Sequence, residues 1–251
     1  MKISRLNSIE QYVLTNETVT IDELCEVFGV SKNTIRRDLN ELEARGHIAK
    51  VYGGVTAVKT GDIIPVPVRT GINASNKLLI GQLAAQEVED GDTIFVDSGS
   101  TAVCLLRNLS ARKRVTVVTH SLTVMVEAAK YENLNVISLG GIFNRSTSSY
   151  VGVSTLQAIS ELKLTKAFMG ATGVTVEAGM TNTTFLEAEI KRGVAAHSKK
   201  IILMADSTKL GSDAVITFCY LRDVSTFVTD APPPQKFADY FRAHQIKVLH
   251  G

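Results

Sequence analysis

The chain has 251 residues, 45% of them hydrophobic and 21% charged, with a formal net charge of +2. This composition fits an ordinary globular protein and excludes fibrous, collagenous and wholly disordered chains, while the length allows one large domain or a large and a small one, each able to bury a core. A charge this small does not mark a nucleic-acid binder, so such a function must rest on local placement of charge. Three cysteines, Cys25, Cys104 and Cys219, are far apart, odd in number and without a CxxC. A disulfide framework or zinc site is therefore not expected, and a reducing cytoplasm is. The opening MKISRLNSIEQYV is broken by Asn7, Ser8, Glu10 and Gln11 and lacks the apolar core of a signal peptide. Runs of about 18 apolar residues are missing, so no membrane association is expected.

In chain order, a first helix is predicted over Ile3 to Thr15, with Leu6, Ile9, Val13 and Leu14 on one face. A second opens on a capping box, Thr20 with Glu23 three residues on, then places Ile21, Leu24, Cys25 and Phe28 on one stripe before Gly29 stops it. Only Gly29, Val30 and Ser31 separate it from a third helix, capped by Ser31, running to Arg45 and burying Ile35, Leu39 and Leu42. Two helices across so short a turn form a helix-turn-helix. His47 to Val51 and Val55 to Val58 can pair around Tyr52, Gly53 and Gly54, giving a winged helix.

With Ile35, Leu39 and Leu42 inward, the third helix presents Lys32, Asn33, Arg36, Arg37 and Asn40. Arg and Lys read guanine edges, Asn reads adenine, and hydroxyls at a helix start, here Ser31 and Thr34, donate to phosphate. The competing reading is a solvated face in which Arg36 and Arg37 pair with Asp38 or Glu41. Residues 1 to 60 carry 8 Lys and Arg against 8 Asp and Glu, so any electrostatic footprint is local.

All five prolines fall at Pro65 and Pro67 and at Pro232 to Pro234. The segment Lys59 to Asn73, with two prolines and two glycines, reads as an irregular linker between a DNA-binding domain (1–58) and a larger domain (74–251). In the latter, strands are predicted at Thr93–Val96, Val115–Val118, Asn135–Leu139, Lys166–Met169, Ile201–Met204, Val224–Val228 and Lys247–Leu249, most of them separated by helices. That alternation is the pattern of a Rossmann-like parallel α/β sheet, whose ligands bind beyond the carboxyl ends of the strands. Polar and glycine residues gather at those ends: Asp97-Ser98-Gly99-Ser100-Thr101, Thr119-His120-Ser121, Gly140-Gly141, Gly170 to Gly173, and Asp206 to Lys209. The DSGST element opens a helix over Thr101 to Leu109, so its amides and hydroxyls could seat an anion; a plain capped turn is the alternative. Neither GxxxxGK[ST] nor GxGxxG occurs, which disfavours nucleotides. Glu187 and Lys191 lie at i, i+4, where a simple surface pair competes with a ligand role.

The segment VTIDELCEVFGVSKNTIRRDLNELEARGHIAKVYGG, with its VS..TIRRDL..LE..G core and YGG wing, resembles the DeoR/GlpR family of bacterial transcriptional regulators. The family carries a hydrophobic residue at His47 and histidine at Tyr52. The later motifs D.GST, VT.S, GG and DS.K extend the likeness over nearly the whole chain. The resemblance implies an effector domain folded like ribose-5-phosphate isomerase and the coenzyme A transferases, and DNA contacts from Ser31, Lys32, Asn33, Thr34, Arg36 and Arg37 with Tyr52 and Gly53 in the wing. It implies a phosphorylated sugar or polyol as effector, its phosphate on Ser98, Gly99, Ser100 and Thr101, with Asp97, Thr119, His120, Ser121 and Gly141 lining the site and Lys209 closing it. His120 stands where the family usually has Asn. The expected protein is a cytoplasmic repressor, at least dimeric, on double-stranded operator DNA, with no catalytic residue, metal or cofactor. The alternative is an isomerase-like enzyme with an accessory DNA-binding domain.

Overall fold

The computed structural model describes residues 2–16, 18–44, 48–51, 54–57 and 66–251, which form two compact units, Met1–Ala74 and Ser75–Gly251. The first unit contains α1 (Lys2–Asn16), β1 (Thr18–Thr20), α2 (Ile21–Phe28), α3 (Lys32–Ala44), β2 (Ile48–Val51), β3 (Gly54–Ala57) and α4 (Val66–Gly71). Leu6, Ile9, Val13, Leu24, Ile35, Leu39 and Leu42 are buried together with Ile48 and Val55, so the helical stripes meet the wing in one core. Thr20 caps α2 by accepting from the Glu23 amide at 3.1 Å, and Gly29 closes it in the left-handed conformation. The Glu23 carboxylate accepts from the Tyr12 hydroxyl at 3.0 Å. The wing has a strand the periodicity did not reveal: β1 pairs antiparallel with β3, giving the order β1-β3-β2.

The proposed linker departs from expectation. Residues 59–65 lie outside the described ones, but Val66–Gly71 forms a short helix rather than an irregular segment. Pro67 falls in its first turn, where the missing N–H costs nothing.

Helix α5 (Ala74–Ala84), all but its first residue in the second unit, is followed there by β4 (Thr93–Val96), β5 (Val115–Thr119), α6 (Leu122–Ala128), β6 (Leu134–Ser138), β7 (Ile142–Asn144), β8 (Ser149–Val151), α7 (Val153–Ser160) and β9 (Leu164–Met169). Then come β10 (Gly173–Thr175), β11 (Gly179–Asn182), α8 (Phe185–Ala196), β12 (Ser198–Met204), β13 (Ile216–Cys219), β14 (Thr226–Val228), α9 (Gln235–Ala243) and β15 (Lys247–Leu249). All seven expected strands join one parallel sheet in the order β15-β14-β12-β9-β4-β5-β6. Alternate residues feed two clusters, one per face: Phe95, Val118, Ala167 and Leu203 on one, Ile94, Val96, Val117 and Phe168 on the other. Burial on both faces is why these strands read as continuous apolar runs. Two antiparallel additions, the β7–β8 hairpin and the sheet β10-β11-β13, were not foreseen. No helix among the described residues is long and apolar enough to cross a membrane, and they hold no cluster of three or more His, Cys, Asp or Glu suited to a metal.

Helix α5 packs on the segment after DSGST so closely that a Cβ at Gly81 would lie 2.5 Å from the Cys104 carbonyl oxygen. Gly81→Ala should therefore destabilise the second unit by about 1–3 kcal/mol, despite the better helix propensity of alanine. Gly140→Ala, with nothing within 4 Å, should change stability by less than about 0.5 kcal/mol in the same urea titration. Equal effects would contradict the packing.

Candidate functional site

In the first unit, Ser31 caps α3 by accepting from the Thr34 amide at 3.3 Å, and the two hydroxyls lie 3.1 Å apart. With Ile35, Leu39 and Leu42 inside, Lys32, Asn33, Arg36, Arg37 and Asn40 are exposed, as the spacing required. Asp38 is not available to Arg36 or Arg37. It is fully buried on the same stripe, and its carboxylate accepts from Arg5 of α1 at 2.7 and 3.3 Å. Burying an acid beneath the helix while its neighbouring arginines face outward makes a local positive surface in a segment of balanced charge. Lys32 forms an exposed ion pair with Asp22 at 2.5 Å, an interaction worth little in water and free to yield to phosphate. From β2, Lys50 bonds both Asn40 and, at 2.7 Å, Glu43, tying the wing to α3. Tyr52 and Gly53 lie outside the described residues.

In the second unit, the polar loops gather at the carboxyl ends of the parallel strands. Asp97, following β4, is fully buried; its Oδ2 accepts from the Gly170 amide and faces the Lys191 ammonium, both at 3.0 Å. Lys191 also donates to the Gly170 carbonyl at 2.9 Å and lies 4.9 Å from the centroid of the Phe218 ring. Burial pushes the Asp97 carboxyl up, but Lys191, His120 and the two donated hydrogen bonds outweigh it and hold it below the usual range. Beside it, Ser98 donates to Glu187 at 3.2 Å, and Glu187 also accepts from Asn182 at 3.0 Å and Thr184 at 3.2 Å. His120, fully buried, stacks on Phe95 with centroids 5.5 Å apart. Its pKa is lowered, by burial first and by Lys191, against the opposing pull of Asp97 and Glu187. Asp97 Oδ1 and both ring nitrogens of His120 are the buried side-chain polar atoms among the described residues of this unit that find no partner.

Other anticipated residues do different work. Thr119 donates to the Val96 carbonyl at 2.7 Å and accepts from the Ser121 amide at 3.1 Å, while Ser121 caps α6 through the Val124 amide at 3.3 Å. They build the strand ends that hold His120. The segment after DSGST is a 3-10 helix, Ala102–Asn108, rather than the expected longer helix, and Thr101 makes no capping bond. Ser100 is buried and Thr101 half-buried. Gly141 has φ +150, and a Cβ there would strike Thr155 Oγ1, so its small size serves the packing of the β7–β8 hairpin. Lys209 is half-buried at the end of a 3-10 turn, Ser207–Lys209, whose first residue is tied to Asp230 at 2.6 Å. Asp230 in turn accepts from Asn76 of α5 at 2.6 Å.

Glu187 and Lys191 form no simple surface pair: both are buried and each serves a different partner of the DSGST loop. The signal was their position on the same stripe as Ala188, Ile190 and Val194, which faces the sheet. Sequence reasoning also missed Asn182, Arg5 and Asp38; the last stands three residues from Ile35 and one from Leu39, on the buried side.

The chain thus consists of a winged helix and a parallel-sheet unit with a polar cluster at its strand ends. Residues 5–61 match the DeoR-like helix-turn-helix domain and residues 72–231 the DeoR C terminal sensor domain. The chain is 38% identical over 248 residues to the HTH-type transcriptional regulator IolR of Bacillus subtilis, covering 99% of each protein. It is 32% identical to GolR of Listeria innocua over 90% of this chain and 89% of that one, and 28% identical to the glycerol-3-phosphate regulon repressor of Escherichia coli over 97% of each. Among solved structures, ribose 5-phosphate isomerase A of Methanocaldococcus jannaschii aligns with TM-score 0.41 and 22% identity over 55% of each chain. The chain belongs to the DeoR family of helix-turn-helix transcriptional regulators. Its relatives are regulators and repressors, so the enzyme reading is not favoured.

The lowered pKa of His120 fixes the sign of a pH effect. Unfolded histidine takes up a proton near pH 6.5, whereas the buried ring resists it, so below about pH 6.5 the unfolded chain binds the extra proton and stability falls. Between pH 7.5 and 5.5 the wild type should lose more stability than His120→Asn in urea unfolding. Parallel pH curves for the two proteins would contradict a buried, neutral ring.

Proposed function

We propose that the chain represses by binding double-stranded operator DNA through α3 and the wing, as a homo-oligomer of at least two copies, and releases it on binding a phosphorylated sugar or polyol. The observation that carries the sensing half is the set of unpartnered atoms, Asp97 Oδ1 and His120 Nδ1 and Nε2, buried where the strand ends meet. Left without partners they cost free energy; ligand hydroxyls would satisfy them. An ionised carboxylate repels phosphate but accepts from a hydroxyl, and a neutral imidazole offers one donor and one acceptor. This assigns the hydroxylated part of the effector to Asp97 and His120. Its phosphate goes to the backbone amides of Ser98, Gly99, Ser100 and Thr101 and the hydroxyls of Ser100 and Thr101, with Lys209 as the cation. The name of one relative, a glycerol-3-phosphate regulon repressor, supports the same ligand class.

Two experiments test this. Arg36→Ala should weaken binding to the cognate operator by about 1–3 kcal/mol and relax preference at one base position, while Lys32→Ala and Arg37→Ala should each reduce the salt slope by about one. Unchanged binding in all three would remove α3 from the interface. Thr101→Asp, at a half-buried position, places a fixed negative charge where phosphate is proposed to sit. Operator binding should persist in this variant, and the roughly 5- to 150-fold loss of affinity that effector causes in the wild type should disappear. Release at the wild-type effector concentration would place the phosphate elsewhere.

A further inference from the structure

The two edges of the seven-stranded sheet are built differently. At one edge, β15 is three residues long, begins with Lys247 and is ion-paired through it to Glu87 at 2.7 Å. Short strands and edge lysines are the usual means of keeping a sheet from pairing with another chain. At the other edge, β6 runs Leu134-Asn135-Val136-Ile137-Ser138 with no charge, proline or glycine, and its last four residues are exposed. No such protection exists there.

The hydrogen bonding of β6 fixes what the edge offers. The amide of Leu139, just beyond it, donates to the Thr119 carbonyl at 2.8 Å, and that of Leu134 donates instead to Tyr131 at 3.1 Å. In a parallel pair alternate residues turn both backbone groups to the same neighbour, so 135, 137 and 139 face β5. The outward positions are therefore 134, 136 and 138, with Val136 at the centre, and at 134 only the carbonyl is offered because the amide is spent on Tyr131.

Apolar side chains flank the edge on both faces. Val136 lies opposite Val117, whose cluster includes Val124 and Ala128 of α6; on the outside of that helix Leu122 and Val126, one turn apart, are 39% and 59% exposed. Ile137 lies opposite Val118, whose cluster includes Val151 of the hairpin; there Ile142 is 74% and Phe143 38% exposed.

We infer that β6 is the surface through which two copies of this chain pair, antiparallel and in register about a twofold axis at Val136, joining their sheets into one. The edge requires a strand, and its lack of charge lets an identical strand approach without repulsion. The inference rests on the proposed action as paired copies, because it assigns the surface that pairs them.

In this register Val136 faces its own copy as a hydrogen-bonded pair with Cα atoms about 5.5 Å apart, within disulfide range. Asn135 faces Ile137 of the other copy, and its distance to its own counterpart is roughly 8 Å, beyond that range. The test uses the full chain. Sedimentation of the wild type should give at least twice the monomer mass of 27.1 kDa. Val136→Lys, checked for native circular dichroism, should weaken self-association about 100-fold or more by setting two like charges at the axis. Val136→Cys, a small change at an exposed site, should form a disulfide-linked dimer on oxidation, while Asn135→Cys and the wild type, with its three native cysteines, should not. A wild-type dimer without the Val136→Cys cross-link would overturn this surface and leave the paired state standing. A monomeric wild type at tens of micromolar would overturn both.

Discussion

The buried pair of Asp97 and Lys191 is the interaction on which the sensor unit turns. Asp97 follows β4, Gly170 follows β9, and Lys191 lies on α8, so one carboxylate oxygen, one peptide unit and one ammonium lock three separate elements within 3.0 Å. Neither charge has water to fall back on, and removing one partner of such a pair typically costs about 3–5 kcal/mol. The geometry also divides the labour of the carboxylate. Its Oδ2 is spent on structure, which leaves Oδ1 buried without a partner. The neighbouring Glu187 holds Ser98 from the same helix, so α8 positions the first half of the DSGST loop through two residues one turn apart.

The DNA-binding unit repeats the device with opposite consequence. Arg5 and the fully buried Asp38 join α1 to α3, and by withdrawing an acid from the surface they leave Arg36 and Arg37 facing out. A domain with as many acids as bases thereby acquires a basic face without a basic composition, which is what phosphate attraction requires. Lys50 fixes the wing strand to the same helix through Glu43, so strand and helix are held in one geometry.

Much of this was legible in the sequence because the signals were local. Thr20, Gly29 and Ser31 mark helix ends by chemistry that acts within three residues, and the parallel strands announce themselves as apolar runs because both faces are buried. Short antiparallel strands gave no such signal: β1 has three residues with only Val19 buried, and β7 places Ile142 and Phe143 in solvent. The pairing of Glu187 and Lys191 with the DSGST loop was hidden for a different reason. Spacing shows that two residues share a helix face but not what that face meets, and here it meets the polar ends of the sheet rather than water. The same gap concealed Asp38, whose partner lies 33 residues away. Thr119 and Ser121 were correctly placed at the strand ends, yet their hydroxyls are consumed by Val96 and the α6 cap, a distinction only geometry makes.

The account holds that one protein has two states that DNA and a phosphorylated sugar or polyol bind with opposite preference. Thermodynamic linkage makes this reciprocal: whatever factor the ligand costs the operator, the operator must cost the ligand. The most direct measurement is calorimetric titration of such a compound into the full chain, alone and saturated with operator DNA. The account predicts weaker ligand binding on the operator complex, by the same roughly 5- to 150-fold factor measured in the other direction. Equal ligand affinity in the presence and absence of operator would contradict it.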